Sequence, residues 1–353
     1  MWVYSEACGS SIIIRSFDFK EHFLSIPSQA FEQYTVAFYN LENLFDYQND
    51  KHILDDDFTA LGRNEWNETR YFKKLQKISD AISQIGADFT GKLPAVLGVA
   101  EVENKKVLND LVNQPKLKNH DYKYVHFNSP DERGIDVALL YRADVFELLE
   151  SKPLSLLIHN DQGVRDTTRD ILYVKGKLAG TMLHIYVNHW PSRRDGSGTT
   201  EYKRALAAQT LLKHIEQIDV DGNRTKRLEK DNTFIMIMGD FNDDPENDSI
   251  KKGILPYGFD NITAPLKNFH RGSLNHRFKW NLFDQIMVSE NLYNDIPGDL
   301  YVHKADIFDD IMLRQWKGKY RGQPARTFAG GRYAGGYSDH FPVYAVLRRN
   351  QLY

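Results

Sequence analysis

From Tyr34 onward, short apolar runs alternate with helical patterns, and most of the runs close on a polar or acidic residue. Thr35–Tyr39 reads as a strand that runs into Asn40. Phe72, Leu75, Ile78, Ile82 and Ile85 recur every three or four residues, which predicts a helix with one buried stripe. Pro94–Ala100 is continuously apolar, as in a strand covered on both faces, and ends at Glu101. Further strands are predicted over 122–127, 135–142 and 171–179, and Leu183–Val187 leads into Asn188-His189-Trp190-Pro191. A helix follows near 200–217, with Tyr202, Leu206, Gln209, Leu212 and Ile215 on one face. Phe234–Gly239 is another buried strand and ends in Asp240-Phe241-Asn242-Asp243, while Phe283–Val288 and Phe341–Leu347 read as late strands. Segments 254–282 and 299–337, rich in Gly, Asn and Arg, are long enough to be functional loops. Mixed charges over 224–231 predict a solvated loop. Without a repeat or a Pro/Ser-rich hinge, the expectation is one domain over 34–353 behind an irregular lead-in, 1–33.

Composition narrows the class. The chain has 353 residues, 41% hydrophobic, 12% aromatic and 26% charged, which supplies a core and argues against a disordered chain. No run approaches the roughly 18 apolar residues of a membrane helix. A formal net charge of −3 lacks the overall positive field of a non-specific nucleic-acid coat, so such a contact would need a local basic patch. The one cysteine, Cys8, makes neither an intrachain disulfide nor a cysteine zinc site. No basic and apolar leader precedes it, which argues against lipoprotein processing. The compartment stays open: cytoplasmic by default, secreted if the natural start lies elsewhere.

The chemistry is carried by where the polar residues fall. Asn40, Glu101, His189 and Asp240 follow the C-terminal ends of predicted strands, whereas Asp284, Asp339 and His340 stand at N-terminal ends. Late strands antiparallel to the early ones would bring all seven to one rim of the sheet. One acid after a strand is ordinarily a turn or cap residue, but seven such residues would concentrate charge that a cation relieves. Oxygen donors without cysteine favour Mg²⁺, then Mn²⁺ or Ca²⁺, and no three-histidine zinc spacing is present.

These motifs resemble the endonuclease/exonuclease/phosphatase superfamily related to DNase I. The resemblance rests on Phe38-Tyr39-Asn40-Leu41-Glu42-Asn43, Val99-Ala100-Glu101-Val102-Glu103-Asn104, Val187-Asn188-His189-Trp190-Pro191, Gly239-Asp240-Phe241-Asn242 and Ser338-Asp339-His340, in the family's order, with Phe283-Asp284-Gln285-Ile286 a weaker sixth. It implies a four-layer α/β/β/α sandwich, two mixed β-sheets flanked by helices, and hydrolysis of a phosphoester by metal-activated water. On this resemblance Glu101 binds the cation with Asn40 and Asp339 close by. Asp240 positions or deprotonates the water, and Asn242 contacts the phosphate. His340, oriented by Asp284, stabilises the transition state, while His189 contacts the phosphate from the opposite side and protonates the leaving oxygen. Asp136 is the expected carboxylate partner of His189.

Substrate choice is read from the cations. Arg165, Arg169, Arg193, Arg194, Lys203 and Arg204 surround the His189 segment, and Arg169, Arg193 and Arg194 are taken as phosphate clamps. Lys267, Arg271, Arg277 and Lys279 form a second group and Arg321, Arg326 and Arg332 a third, with Trp280, Tyr320 and Tyr333 among them as stacking candidates. A nuclease acting on DNA or RNA is the first reading. A sphingomyelinase-like or other phosphoesterase is the second, and a binding module without chemistry is the third. Asp243-Asp244 and Leu282-Phe283-Asp284-Gln285 depart from inositol polyphosphate 5-phosphatases, and the Asp284 segment departs from abasic-site endonucleases.

Overall fold

Alternation with period two sorts the apolar side chains of the later strands into two cores. In β10 (Phe234–Asp240), Phe234, Met236 and Met238 join the large central core, whereas Ile235 and Ile237 join a second one. β9 (Thr181–His189) divides the same way, with Leu183, Ile185 and Val187 in the first and Tyr186 in the second. A strand with two apolar faces must be covered on both, and that requirement generates the layers.

The structure is a computed structural model and describes residues 31–159, 163–193, 196, 198–221, 234–293 and 298–349, with backbone only at 219–221. Lead-in residues 1–30 with Cys8, Arg194, and the loop expected at 224–231 lie outside the described residues. Glu32 and Gln33, assigned to the lead-in, instead begin the first strand. One six-stranded sheet has the order β15 (Leu300–Ile307), β18 (Val343–Arg349), β1 (Glu32–Leu44), β2 (Val96–Val102), β4 (Asp136–Arg142), β3 (Tyr122–His126). The other has the order β11 (Phe259–Asn261), β14 (Asp284–Ser289), β10, β9, β8 (Ile171–Leu178), β5 (Phe146–Leu154). Each is mixed, with one parallel pair, β1–β2 or β9–β10, and antiparallel neighbours. The inner faces of the two sheets form the central core.

Helices cover the outside. α1 (Glu68–Ile82), α2 (Ala87–Thr90) and α3 (Lys105–Val112) belong with the first sheet. α4 (Glu201–Asp221) lays Ala207, Ala208, Leu211 and Ile215 on Ile235 and Ile237, and α5 (Asp248–Lys251) lies beside it. Most of each expected stripe is buried: Leu75, Ile78 and Ile82 in α1, with Ile85 just after it, and Leu212 and Ile215, with Leu206 partly, in α4. In α1 Tyr71 and Lys74 also face inward, and Phe72 is exposed. In α4 Tyr202 and Gln209 face outward because the small Ala207 and Ala208 allow the helix to approach the sheet closely. Three strands of the two sheets lie outside those the sequence predicts. β5 has a largely exposed edge, and β11 and β15 arise inside the segments read as loops. Three short hairpins complete the fold: β6 (Ile158–His159) with β7 (Arg165–Asp166), β12 (Leu274–His276) with β13 (Lys279–Asn281), and β16 (Phe328–Ala329) with β17 (Arg332–Tyr333).

Candidate active site

Strand direction and register assemble the site. The parallel pairs end together, Asn40 beside Ala100 and Asp240 beside His189, and antiparallel β14 starts with Asp284 opposite Asp240. Antiparallel β18 starts beside Phe38, which brings Asp339 and His340 to the same end. Gly239 makes the approach possible, because a Cβ there would lie 2.3 Å from the Asn188 carbonyl oxygen. Asn188 fills that space and donates to Met238 O at 3.1 Å, and its Oδ1 accepts from Trp190 Nε1 at 3.0 Å, fixing the strand end that carries His189.

The structure brings all seven rim residues together. Asn40 Nδ2 donates to Asp240 Oδ2 at 3.0 Å and reaches Glu101 Oε1 at 3.5 Å. His189 Nε2 lies 3.8 Å from both Glu101 and Asp240. His340 Nδ1 meets Asp284 Oδ2 at 2.6 Å, and its Nε2 is 4.0 Å from Asp240 and 3.9 Å from Asp339. Asn242 donates its backbone N–H to Asp240 Oδ1 at 2.9 Å and its side-chain amide to Trp190 O at 2.9 Å. Glu42, Asn43, Glu101 and Asn242 all have φ between 49° and 63°, left-handed values that cost a non-glycine residue roughly 1–2 kcal/mol each. At Glu101 the strand bulges, and the left-handed turn lets Oε2 accept from Asn43 N at 2.8 Å.

Burial and charge divide the two histidines. Burial, reinforced by Arg169, Arg133 and His340, holds His189 well below the ordinary imidazole range, so it is neutral near pH 7. Burial would lower His340 too, but the Asp284 charge and hydrogen bond, with Asp240 and Asp339, push it well above that range, so it is an imidazolium. Asp240 is raised to about 7, by burial first and by Asp284, against the lowering charge of His340. Glu101 and Asp339 are partly open to solvent, and the latter is 2.8 Å from Arg326.

Several placements differ from expectation. Asp136 is not the partner of His189: its Oδ2 lies 2.9 Å from His126 Nε2, and its Oδ1 accepts from Ser129 N, also at 2.9 Å. His189 Nδ1 is buried with no hydrogen-bond partner among the described residues. Arg169 is buried, with one nitrogen 3.0 Å from Asp131 and another 2.7 Å from Trp190 O, so it braces the His189 segment rather than standing open as a clamp. Arg193 is likewise spent on Asp243, Asn247 and the Asn242 carbonyl. Tyr333 packs against Trp66, Phe328 and Arg70 and is not a free stacking face.

Sequence reasoning missed Lys74 and the role of Glu42. Lys74 Nζ, buried, donates to Tyr337 O at 2.6 Å and to Thr327 Oγ1, and lies 3.9 Å from Glu42 Oε2. Glu42 in turn donates its N–H to Asn40 Oδ1 at 3.0 Å and accepts from Thr327 N at 2.6 Å. Burial, then the Asp339 charge, raises Glu42 to about 7, and burial lowers Lys74 to about 8. The only available signal was Glu42 inside its motif, because a lysine on a helix is ordinarily solvated.

The donor chemistry fits a hard cation. Glu101 and Asp339 offer carboxylate oxygens at the open side of the rim, with the buried Asn40 beside them turning Nδ2 towards Glu101 while its Oδ1 accepts from Glu42 N, and the Asp284 Oδ1 is buried without a partner among the described residues. Asp240, Asp284 and His340 also place one potential ligand atom each within 4.8 Å of one another. His340 Nδ1 is already committed to Asp284, so the oxygen set is the better fit.

Comparison with solved structures agrees with the fold. An endonuclease/exonuclease/phosphatase family protein from Bacteroides thetaiotaomicron is 18% identical with a TM-score of 0.54, over 91% of this chain and 97% of that one. D. rerio TDP2 complexed with single-strand DNA product is 16% identical with a TM-score of 0.51, over 89% and 98%. A mannosyl-6-phosphatase from the same Bacteroides species is 17% identical with a TM-score of 0.52, over 89% and 99%. No curated protein sequence matches. A family model does match, over residues 35–349, a span that contains every residue of the rim. The chain belongs to the Endonuclease/Exonuclease/phosphatase family.

Proposed function

We propose that the protein is a divalent-cation-dependent phosphodiesterase whose substrate is nucleic acid. The observation that carries the reading is the pairing, at one strand-end rim, of a carboxylate raised to about 7 with an imidazolium 4.0 Å away. Asp240 is held at both oxygens, by Asn40 and by the Asn242 N–H, and its raised affinity for protons suits a base that takes one from an attacking water near neutral pH. His340 keeps its proton through Asp284 and faces the space beside Asp240, where it stabilises negative charge as it develops on phosphorus-bound oxygens. Neutral His189 offers a hydrogen bond from the other side of that space. The second amide hydrogen of Asn242 is available to a phosphoryl oxygen. Arg169 and Arg193 act indirectly, by fixing the loops that carry His189 and Asn242.

A cation held by Glu101 and Asp339, with Asn40 beside them, would supply Lewis acidity to the phosphoryl group and the leaving oxygen. Mg²⁺ suits such a donor set, with Mn²⁺ or Ca²⁺ as alternatives. Nucleic acid is favoured by the exposed cations and aromatics near His340, and a structural neighbour, TDP2, was captured with single-strand DNA product. The test is hydrolysis of bis(4-nitrophenyl) phosphate and of labelled oligonucleotides with Mg²⁺ or EDTA, in the wild type and in Asp240→Asn and His340→Ala. Cation-dependent cleavage of both substrates, reduced in each variant about 100-fold or more, supports the reading. Cleavage of the small diester alone would move the substrate to another phosphoester class, and no turnover would refute the chemistry.

A further inference from the structure

The β12–β13 hairpin grows directly out of the catalytic rim. Leu274 bridges to His340, Phe341 donates its N–H to Ser273 O at 2.6 Å, and the Trp280 ring stacks on Phe341 with centroids 6.0 Å apart. At its tip two residues turn the chain, and both are left-handed non-glycines, Arg277 at φ 50° and Phe278 at φ 65°. A two-residue turn of this kind ordinarily uses Asn-Gly. Placing a phenylalanine there is locally unfavourable, and the outcome is a ring 60% exposed to solvent. That ring lies nearly parallel to Tyr320, at 8° and 5.6 Å between centroids, although the two residues come from separate loops.

Between the hairpin and the loop bearing Tyr320 is a cleft of about 320 Å³, lined in part by Asn275, Phe278, Trp280, Lys319 and Arg321. The Asn275 Oδ1 is buried with no hydrogen-bond partner among the described residues. The cleft wall carries both signs, with Asp309 in its lining, but the charges left unpaired there among the described residues are the cations Lys319 and Arg321. Arg277, Lys279, Lys317, Lys319 and Arg321 are exposed and carry no ion-pair partner among the described residues. The two arginines deeper in the cleft, Arg271 and Arg314, are neutralised by Asp306 and Asp309. Two unpaired cations on the wall of an aromatic cleft, Lys319 and Arg321, with Arg277, Lys279 and Lys317 close to them or to Phe278 in the chain, match a chain of phosphates that carries planar groups.

We infer that this cleft seats an unpaired nucleotide next to the scissile phosphate, its base continuing the Phe278–Tyr320 stack and the flanking phosphates lying on Lys319 and Arg321. The enzyme therefore selects single strands, or frayed ends, over closed duplex, in which stacked and paired bases cannot reach the platform. This specificity rests on the nucleic-acid reading above, and its test separates the two.

Binding of a fluorescein-labelled ten-nucleotide oligothymidylate and of a blunt duplex is measured by anisotropy in EDTA, so that no turnover is needed. The proteins are the full chain and its Phe278→Ala, Tyr320→Ala and Lys319→Ala/Arg321→Ala variants, with far-UV circular dichroism for folding and bis(4-nitrophenyl) phosphate hydrolysis in parallel. Loss of one stacked base weakens single-strand binding about 5- to 100-fold. Loss of the two cations lowers the slope of log affinity against log salt by about 1.4. Equal affinities for wild type and variants, equal losses for the duplex, or binding to sphingomyelin vesicles in place of the oligonucleotide would overturn the cleft. Cleft-dependent oligonucleotide binding without diester hydrolysis would instead support the cleft and refute the phosphodiesterase.

Discussion

Asp284→Asn isolates the charge that keeps His340 protonated. Asp284 is fully buried, and its Oδ2 is 2.6 Å from His340 Nδ1, against 4.0 Å and 3.9 Å from Nε2 to Asp240 and Asp339. At an effective dielectric of about 20, a unit pair at 2.6 Å interacts by roughly 6 kcal/mol and one at 4 Å by roughly 4 kcal/mol, so Asp284 contributes the largest single share. Asparagine has nearly the same shape and keeps an acceptor for Nδ1–H, so orientation survives while the charge does not. With Asp284 neutral, burial gains weight, and the His340 imidazole is displaced towards its neutral form. The expected loss in kcat is about 100- to 1000-fold, or roughly 3–4 kcal/mol, comparable with removing a preorganised donor to developing negative charge. Asp284→Ala, which removes the acceptor as well, should fall at least as far.

The pH profile distinguishes charge from position. His340 is raised in the wild type, so its required protonated form persists through neutral pH and is lost only as pH climbs well above the usual imidazole range. In Asp284→Asn that loss begins at lower pH, and part of the activity returns on acidification until Asp240, which burial still raises, is itself protonated. Steady-state hydrolysis of bis(4-nitrophenyl) phosphate between pH 5 and 9 at saturating cation measures both limbs. An Asn variant within threefold of wild type, or a depressed profile with an unmoved alkaline limb, would refute the role given to the charge.

Two further predictions concern the second core and the strand pair beneath the site. His184 and His214, each lowered to about 4 mainly by burial, hydrogen-bond Tyr173 and Tyr186 at 2.9 Å; they are neutral when folded, so their contribution is full above about pH 6.5 and is lost as pH falls towards 4. At pH 5 the two together should cost up to about 4 kcal/mol, and urea unfolding at pH 7 and 5 should show a smaller drop in His184→Gln/His214→Gln than in wild type; parallel losses would contradict this. Gly239→Ala places a Cβ 2.3 Å from backbone that also carries His189, so it should destabilise by about 3 kcal/mol in thermal or urea unfolding and reduce kcat, and full activity with unchanged stability would refute the close-approach argument.

Much of this site was legible because strand periodicity and strand ends are local properties. Each of Asn40, Glu101, His189, Asp240, Asp284, Asp339 and His340 could be placed at a strand terminus from the apolar run beside it, and antiparallel pairing of the late strands supplied the rest. Of the four edge strands only β3 was legible, and β5 shows why: it is exposed over most of its length and has no continuous apolar run. On α1 the apolar period shows Leu75, Ile78 and Ile82 as the buried face but not Lys74, which lies buried beside them with its Nζ donating to Tyr337 O.

Partner choice was least legible, because it depends on which groups compete for one another in space. Asp136 sits at a rim-side strand end, as a partner for His189 should, yet β3 pairs with β4 and delivers His126 to it first. The arginines near His189 offer the same lesson. Guanidinium chemistry suited to phosphate is equally suited to Asp131 and Asp243, and close-packed loops give those carboxylates the advantage. Cations left without such partners are found instead beside Phe278 and Tyr320, on loops whose sequence pattern is irregular. On the proposed function the rigid strand ends carry the chemistry, and the exposed cations on the loops carry the selectivity.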